Sequence, residues 1–281
     1  MSVNVLNAIK NIISYPVSEL GAFYEGRNRA NSMGSALENY IADVFANTLN
    51  ETNEEKRLEL QAQTFSYIGN QNNPPDMIIR NGDAIEVKKI ESKNSALALN
   101  SSYPKAKLFS DSTMITAACR TCEDWNEKDI LYSIGVAKGS RLMKLFFVYG
   151  VDYAASAEVY ERIKSVISKG INTIPDVEFA ETNELGRINR VDPLGITYLR
   201  VRGMWGIENP AKVFSYIYTP VEADFELVAI INLDKYNSLP SPDRKALENS
   251  SEPDLKLEDV KIKIPDNPSQ LKQAKLITFH R

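Results

Sequence analysis

Asn81-Gly82 sits between two runs of strand formers, Met77 to Arg80 and Ala84 to Ile90, and no other feature of this 281-residue chain constrains its fold so tightly. Asn-Gly supplies the positive backbone angles of a tight hairpin turn, so the two runs are expected to lie antiparallel. Glu86 and Lys88 are two residues apart, which on a strand sends both side chains to one face. Asp76, preceded by Pro75 on the other arm, can approach the same face, although sequence does not fix the register. Two carboxylates and an ammonium would then converge. Such a group can hold Mg²⁺ against a phosphate, lower the pKa of a bound water, and set a cation where charge develops during hydrolysis. The alternative is a solvated hairpin whose arms share an ion pair.

Other hydrolytic chemistries are thinly supplied. The single histidine, His280, is penultimate and is read as part of a frayed end. The lack of a usable histidine argues against a Ser-His-Asp triad, a Cys-His pair, a histidine-metal nuclease site or a zinc hydrolase, so hydrolysis is expected to run on carboxylates and lysine. Cys119 and Cys122 form one Cys-x-x-Cys with no second pair to complete a zinc site, and are read as structural. At 43% hydrophobic and 25% charged the chain has the composition of a globular protein. The first fifteen residues lack the apolar core of a signal peptide, and no apolar run would span a bilayer, so the expected location is cytoplasmic.

The net charge of -4 argues against a basic coat, yet the charge is uneven. From 88 to 107 stand Lys88, Lys89, Lys93, Lys105 and Lys107 against Glu91; from 187 to 212 stand Arg187, Arg190, Arg200, Arg202 and Lys212 against Asp192 and Glu208. Residues 222 to 266 carry eleven acids and six bases. A phosphate-facing groove with an acidic back fits this pattern, as does a mixed solvated surface.

Apolar periodicity predicts helices over 3–14, 35–48 with Ser32 as cap, and 154–169 ending at Gly170, with a glycine-bearing loop at Gly21 and Gly26. Residues 58–68 are ambiguous, with 64–68 favouring strand; 114–122 reads as strand or short helix. Strands are expected at 130–136, 144–149, 197–201, 213–218 and 227–232, and the stretch 239–266, rich in Pro, Ser and acids, as a surface excursion. The fold class is α/β (α+β): a central mixed sheet flanked by helices, in one domain over 1–281.

Glu-x-Lys and Asp-x-Lys recur at Glu91-Ser-Lys93, Asp254-Leu-Lys256 and Asp259-Val-Lys261, but only the copy at Asp76, Glu86 and Lys88 has a strand, a turn and a second apolar strand. Glu38, near the start of the second helix, is either a third carboxylate for the same centre or an ordinary surface acid.

Pro75-Asp76 followed by Glu86-x-Lys88 resembles the PD-(D/E)xK nuclease superfamily, whose fold is a mixed sheet flanked by helices. The fuller strings Ile85-Glu-Val-Lys-Lys-Ile-Glu-Ser, Leu97-Ala-Leu-Asn-Ser-Ser-Tyr-Pro-Lys105 and Leu199-Arg-Val-Arg-Gly-Met-Trp-Gly-Ile-Glu-Asn-Pro210 are similar to the NgoPII-type family of type II restriction endonucleases, over most of the chain. That resemblance implies Asp76 and Glu86 as Mg²⁺ ligands, Lys88 as catalytic lysine, Glu38 as a further ligand, and a short GC-rich palindromic site such as GGCC. The Val87 carbonyl can complete the metal sphere. Candidate DNA contacts are Lys89, Ser92, Lys93, Asn94, Asn100, Ser101, Ser102, Lys105, Arg200 and Arg202, the Arg and Lys side chains suiting guanine and the Asn side chains adenine; the alternative for the loop residues is contact with phosphate or water alone. A palindromic duplex suggests a homodimer, and self-protection a DNA methyltransferase as genetic partner. Two other functions fit the same residues: a repair or recombination nuclease that reads DNA structure, and a non-catalytic DNA-binding regulatory module.

Overall fold

Cap chemistry starts the first helices. In the computed structural model, which describes residues 3–25, 32–70, 73–92 and 94–281, Asn4 accepts from the Leu6 N–H at 2.9 Å while Asn7 accepts from the Asn4 N–H at 2.9 Å. This reciprocal cap opens α1 (Val5–Ser14), and α2 (Leu20–Glu25) follows. Ser32 caps α3 (Met33–Ala46), which Asn47 closes in the left-handed conformation at φ 56°. After α4 (Glu54–Thr64) come β1 (Phe65–Asn70), β2 (Asn73–Ile79), β3 (Ala84–Ile90), β4 (Leu97–Asn100), β5 (Lys107–Phe109), α5 (Ala117–Arg120), β6 (Glu127–Lys138) and β7 (Arg141–Tyr149). The second half holds α6 (Gly150–Tyr153), α7 (Ala157–Ile171), β8 (Glu178–Phe179), β9 (Gly186–Asn189), β10 (Leu199–Val201), β11 (Trp205–Ile207) and α8 (Pro210–Val213). It ends with β12 (Glu226–Asn232), α9 (Leu233–Ser238), α10 (Ser241–Glu248), β13 (Leu255–Ile264) and β14 (Asn267–His280).

A mixed sheet in the order β1-β2-β3-β6-β7-β12-β14-β13 organises the molecule, with β5 joined to the start of β6. The β3–β6 and β7–β12 pairs are parallel and the other neighbours antiparallel. One face of the sheet packs under α1, α2, α3, α9 and α10, where Leu6, Ile9, Leu37, Ile41, Phe45 and Tyr236 meet Ile85, Val87, Phe147 and Ile231. The other face carries a second core built from Ile78, Ala84, Ile90, Tyr132, Phe146, Phe214 and Tyr218. Every residue of β12 is buried, as expected of a central strand covered on both faces.

The first helices are tied by a buried carboxylate. Asp43 on α3 accepts from Tyr24 on α2 (2.8 Å), from Thr48 (2.6 Å), and from Arg57 (2.7 Å) and Gln61 (2.9 Å) on α4. Four donors satisfy a charge that would otherwise be costly to bury, and they fix α3 against its neighbours.

Several elements depart from the sequence expectations for tertiary reasons. Gly21 lies inside α2 rather than in a loop, because the helix runs so close to the β6–β7 turn that a Cβ there would sit 2.5 Å from the Ser140 Cβ; Gly26 lies outside the described residues. Within the alternatives left open, residues 58–64 complete α4 with β1 following, and 117–120 take the short-helix option as α5. The stretch 213–218 is not a strand: Asn209 and Pro210 start a helical turn, and Phe214 and Tyr218 are buried at helical spacing. Residues 239–266 are no surface excursion either. They hold α10 and β13, an edge strand whose outward Lys256, Glu258, Lys261 and Lys263 give sheet backbone a solvent-like composition. His280 is not frayed; β14 pairs it with Glu226, and Arg281 exchanges two backbone hydrogen bonds with Phe225 at 2.9 Å. Among the described residues, no helix is long and apolar enough to cross a membrane.

Candidate active site

The β2–β3 hairpin builds the site by coming apart. Asn81 takes φ 55° in the turn, Gly82 donates to Ile79 at 2.8 Å, and the strands pair at Met77 with Ile85 and Ile78 with Ala84. One step further the backbone ladder gives way to a side chain, as Asp76 Oδ2 accepts from the Val87 N–H at 2.6 Å. Strand alternation sends Met77, Ile79, Ile85 and Val87 into the helix-covered core, and Ile78, Ala84 and Ile90 into the opposite one. Asp76, Glu86 and Lys88 therefore share the second face. Lys88 Nζ lies 2.6 Å from Glu86 Oε1, while Glu86 Oε2 is buried with no hydrogen-bond partner.

Burial and crowding of like charge dominate the electrostatics. Asp76 is pushed up to about 7, first by burial and then by Glu86, with Glu38 adding to it; Lys88 and the Val87 N–H oppose the rise without cancelling it. Burial works against the charge on Lys88, yet Glu86, Asp76 and Glu38 together hold its pKa above the ordinary lysine value. Glu38, half-buried on α3, is raised by burial and by Glu86 and lowered by Lys88. Its field reaches the centre, but among the described residues no three His, Cys, Asp or Glu side chains close on one point as metal ligands. Glu38 stands beside the Asp76–Glu86 pair rather than as a third member of a closed cage.

A cleft of about 670 Å³ opens over these groups, lined by Asp76, Glu86 and Lys88 together with Ser101, Ser102, Lys105 and Arg202 from the expected DNA contacts. The others fall elsewhere. Lys89 lies on the opposite face of β3 from Lys88 and pairs with Glu91 at 2.7 Å. Ser92 and Asn94 form an exposed turn, with Asn94 N–H donating to Ser92 Oγ at 3.3 Å. Lys93 and the Asn100 side chain lie outside the described residues, although the Asn100 backbone pairs with Trp205 across β4–β11. Arg200 is outside the lining, and both it and Arg202 are bound by Glu184, Arg200 through Nη2 at 2.6 Å and Nε at 2.9 Å.

The cleft also contains residues that no sequence motif marks. Tyr132 lies opposite Glu86 in the parallel β3–β6 ladder, and its hydroxyl accepts from the Lys105 N–H at 2.7 Å. Tyr103, Met114 and Met204 also line the walls. A parallel register between strands over forty residues apart leaves no local signal, so spacing alone does not reveal Tyr132. Cys119 is buried, and burial pushes its thiol up to about 12, far from a reactive thiolate.

Comparison with known proteins gives the family. No solved structure is significantly similar to the chain. The family model described as NgoPII restriction endonuclease matches residues 3–263. The type II restriction enzyme NgoPII of Neisseria gonorrhoeae is 53% identical over 281 residues, covering 99% of this chain and 100% of that protein. With the mixed sheet, the carboxylate–lysine hairpin and similarity along nearly the whole length, the chain belongs to the NgoPII restriction endonuclease family, and is an enzyme of the type II restriction class.

Proposed function

We propose that this enzyme hydrolyses phosphodiester bonds of double-stranded DNA at a short GC-rich palindrome such as GGCC, with Mg²⁺ held by Asp76 and Glu86, as a PD-(D/E)xK nuclease. The supporting observation is the pairing of a buried, crowded Asp76 with the partnerless Glu86 Oε2 in an open cleft. Hard oxygen donors suit Mg²⁺, and a cation relieves the carboxylate repulsion that raises Asp76. The N–H and C=O of a residue leave a strand on the same side, so the Val87 carbonyl faces the gap and can serve as a further oxygen ligand. Bound there, Mg²⁺ supplies a Lewis acid and a water of lowered pKa.

The chain's own groups do the rest. Lys88, held by Glu86, orients the attacking water and offsets the negative charge that grows on the phosphate. Glu38 adds negative potential from α3 and would help the Asp76–Glu86 pair hold a divalent cation. Ser101, Ser102, Lys105 and Arg202, which line the cleft, contact the DNA there, and Ser92, Asn94 and Arg200, outside the lining, are further candidates for contact with its backbone.

Cleavage of both strands at a palindrome calls for two centres related by a twofold axis, and a homodimer provides them. Support comes from α7, which buries none of its residues and exposes Val159, Ile163, Val166 and Ile167 on one side, and from Leu194 and Ile196 at the β9–β10 connection. An apolar stripe of this kind fits a second copy of the chain. A DNA methyltransferase protects the host's own sites.

Digestion of plasmid DNA in Mg²⁺ tests the reading. Discrete fragments with one short sequence at every end are expected, and none from Asp76→Ala. Cuts confined to flaps or junctions, or full activity of Asp76→Ala, would overturn it.

A further inference from the structure

Of the three basic side chains buried in the described part of the chain, Arg57 pairs with Asp43 and Glu54, and Lys128 with Glu123. Lys105, only 8% exposed, makes no close ion pair with a carboxylate among the described residues: Glu86 and Glu161 act on its charge only from beyond contact distance. Its ammonium donates to Ser102 Oγ at 2.5 Å and to the Tyr103 carbonyl at 3.4 Å, and lies 5.2 Å from the centre of the Tyr103 ring. These neutral partners orient a cation but do not neutralise it. Burying a charge without a counter-ion is costly, so a lysine kept in this way needs an anion that arrives from outside.

The backbone of Lys105 is also fixed beside the cleft. The Tyr132 hydroxyl accepts the Lys105 N–H at 2.7 Å. On the other side the Lys105 carbonyl presses on Gly150, where a Cβ would sit 2.3 Å from that oxygen. Lys105 and Ser102 line the same cleft as Asp76, Glu86 and Lys88, and Lys105 feels both Glu86 and Lys88. Burial lowers Lys105 to about 8, with Lys88 adding to the fall and Glu86 and Glu161 opposing it.

Resting on the nuclease function proposed for this cleft, we infer that Lys105 and Ser102 form a built seat for one DNA phosphate flanking the scissile one. Lys88 is already engaged with Glu86 at the proposed reacting centre, whereas Lys105 lies on the loop after β4 without an ion pair of its own, Glu86 and Glu161 attracting it from further off. A phosphodiester supplies one negative charge and two non-bridging oxygens, enough to accept from the ammonium and the Ser102 hydroxyl together. The missing counter-ion of the free protein is thus the substrate backbone. Lys105 acts as a positioning residue: it sets the register of the strand over Asp76 and Glu86.

The test is binding of the full chain, in Ca²⁺, to a duplex oligonucleotide containing the sequence that the wild type cuts. Lys105→Met keeps the buried stem and removes the charge, and Ser102→Ala is carried in parallel; circular dichroism checks that both are folded. Lys105→Met should bind roughly tenfold more weakly, as for loss of a charge-assisted hydrogen bond. The slope of log affinity against log salt should shrink by about 0.9, the value for one phosphate. A series of duplexes with single methylphosphonates should show one flanking position whose neutralisation weakens the wild type and leaves Lys105→Met unaffected, with Ser102→Ala blunted at that position. An unchanged salt slope, or a methylphosphonate profile identical in wild type and Lys105→Met, would overturn the seat while wild-type cleavage in Mg²⁺ still stands. Failure of the wild type to cut DNA would instead remove the nuclease function on which the seat rests.

Discussion

One hairpin carries two acid–lysine–acid groups, one at each end, and they are built to opposite ends. At the turn, Lys235 reaches Asp83 at 2.6 Å and Asp129 at 2.7 Å, the Tyr149 hydroxyl donates to Asp83 at 2.7 Å, and the Tyr149 ring lies 4.8 Å from the ammonium. Burial opposes the charge on Lys235, but the two aspartates more than compensate and raise its pKa. At the open end, Asp76 and Glu86 share Lys88 with a third carboxylate, Glu38, nearby; Glu86 keeps a buried oxygen without a partner, and Asp76 is driven up to about 7. Similar residue types thus make a closed clamp at one end and, at the other, a crowded, unbalanced group that the proposed function uses to hold a metal. Geometry and local charge balance separate structure from chemistry here, not composition.

The largest effect that sharpens this contrast is on rate. Lys88→Ala should lower cleavage of plasmid DNA in Mg²⁺ by about a thousandfold, on the scale of losing one preorganised electrostatic group, while binding in Ca²⁺ persists. Gel quantification of initial rates checks it, and near-wild-type rates would remove Lys88 from the mechanism. The mirror experiment is Lys235→Ala. Stranding Asp83 and Asp129 should cost about 2–3 kcal/mol in urea unfolding, and the rate per folded molecule should hardly change.

A smaller effect depends on pH. The folded pKa of Asp76, about 7, lies above the ordinary 3.8, so the folded chain holds this proton more tightly than the unfolded chain. The stability it confers is complete below pH 3.8 and is lost as pH rises through about 7. Asp76→Asn has no proton to lose. Without divalent cation, its urea-unfolding free energy should draw ahead of wild type between pH 5 and pH 8. The gain should be a few kcal/mol at most, since each tenfold difference in proton affinity between folded and unfolded chain is worth about 1.4 kcal/mol. Parallel curves across that range would mean Asp76 is not crowded as described. Smallest of all is the sequence decoy: Asp259 is 71% exposed and pairs with Lys275 on the neighbouring strand, so Asp259→Ala should change stability by under about 0.5 kcal/mol and leave cleavage intact.

Much of the open end is legible in the sequence because its signals are local. Asn81-Gly82 sets the turn, strand parity puts Glu86 beside Lys88, and the Ser32 cap places α3 with Glu38. The closed end is not legible: Asp83 and Lys235 are 152 residues apart, and only the sheet order, which sets α9 after the central strand β12, brings them together. The edge strand β13 is hidden for a related reason, since one-sided burial gives it the charge content of a loop. In the sequence Lys105 is one member of a basic run, whereas its distinct setting follows from burial under Gly150 and Tyr132, which depends on strand order. Local chemistry announces the acid–lysine motif; the long-range sheet decides which charges around it are matched.

Cleavage of one plasmid in Mg²⁺ by three proteins, wild type, Asp76→Asn and Asp83→Asn, each confirmed folded by circular dichroism, bears most directly on the two ends of the hairpin. Wild type and Asp83→Asn should cut at comparable rates, with Asp83→Asn less stable to urea, and Asp76→Asn should not cut. Activity in Asp76→Asn, or a folded Asp83→Asn as inactive as Asp76→Asn, would contradict the division between an open catalytic group and a closed structural one.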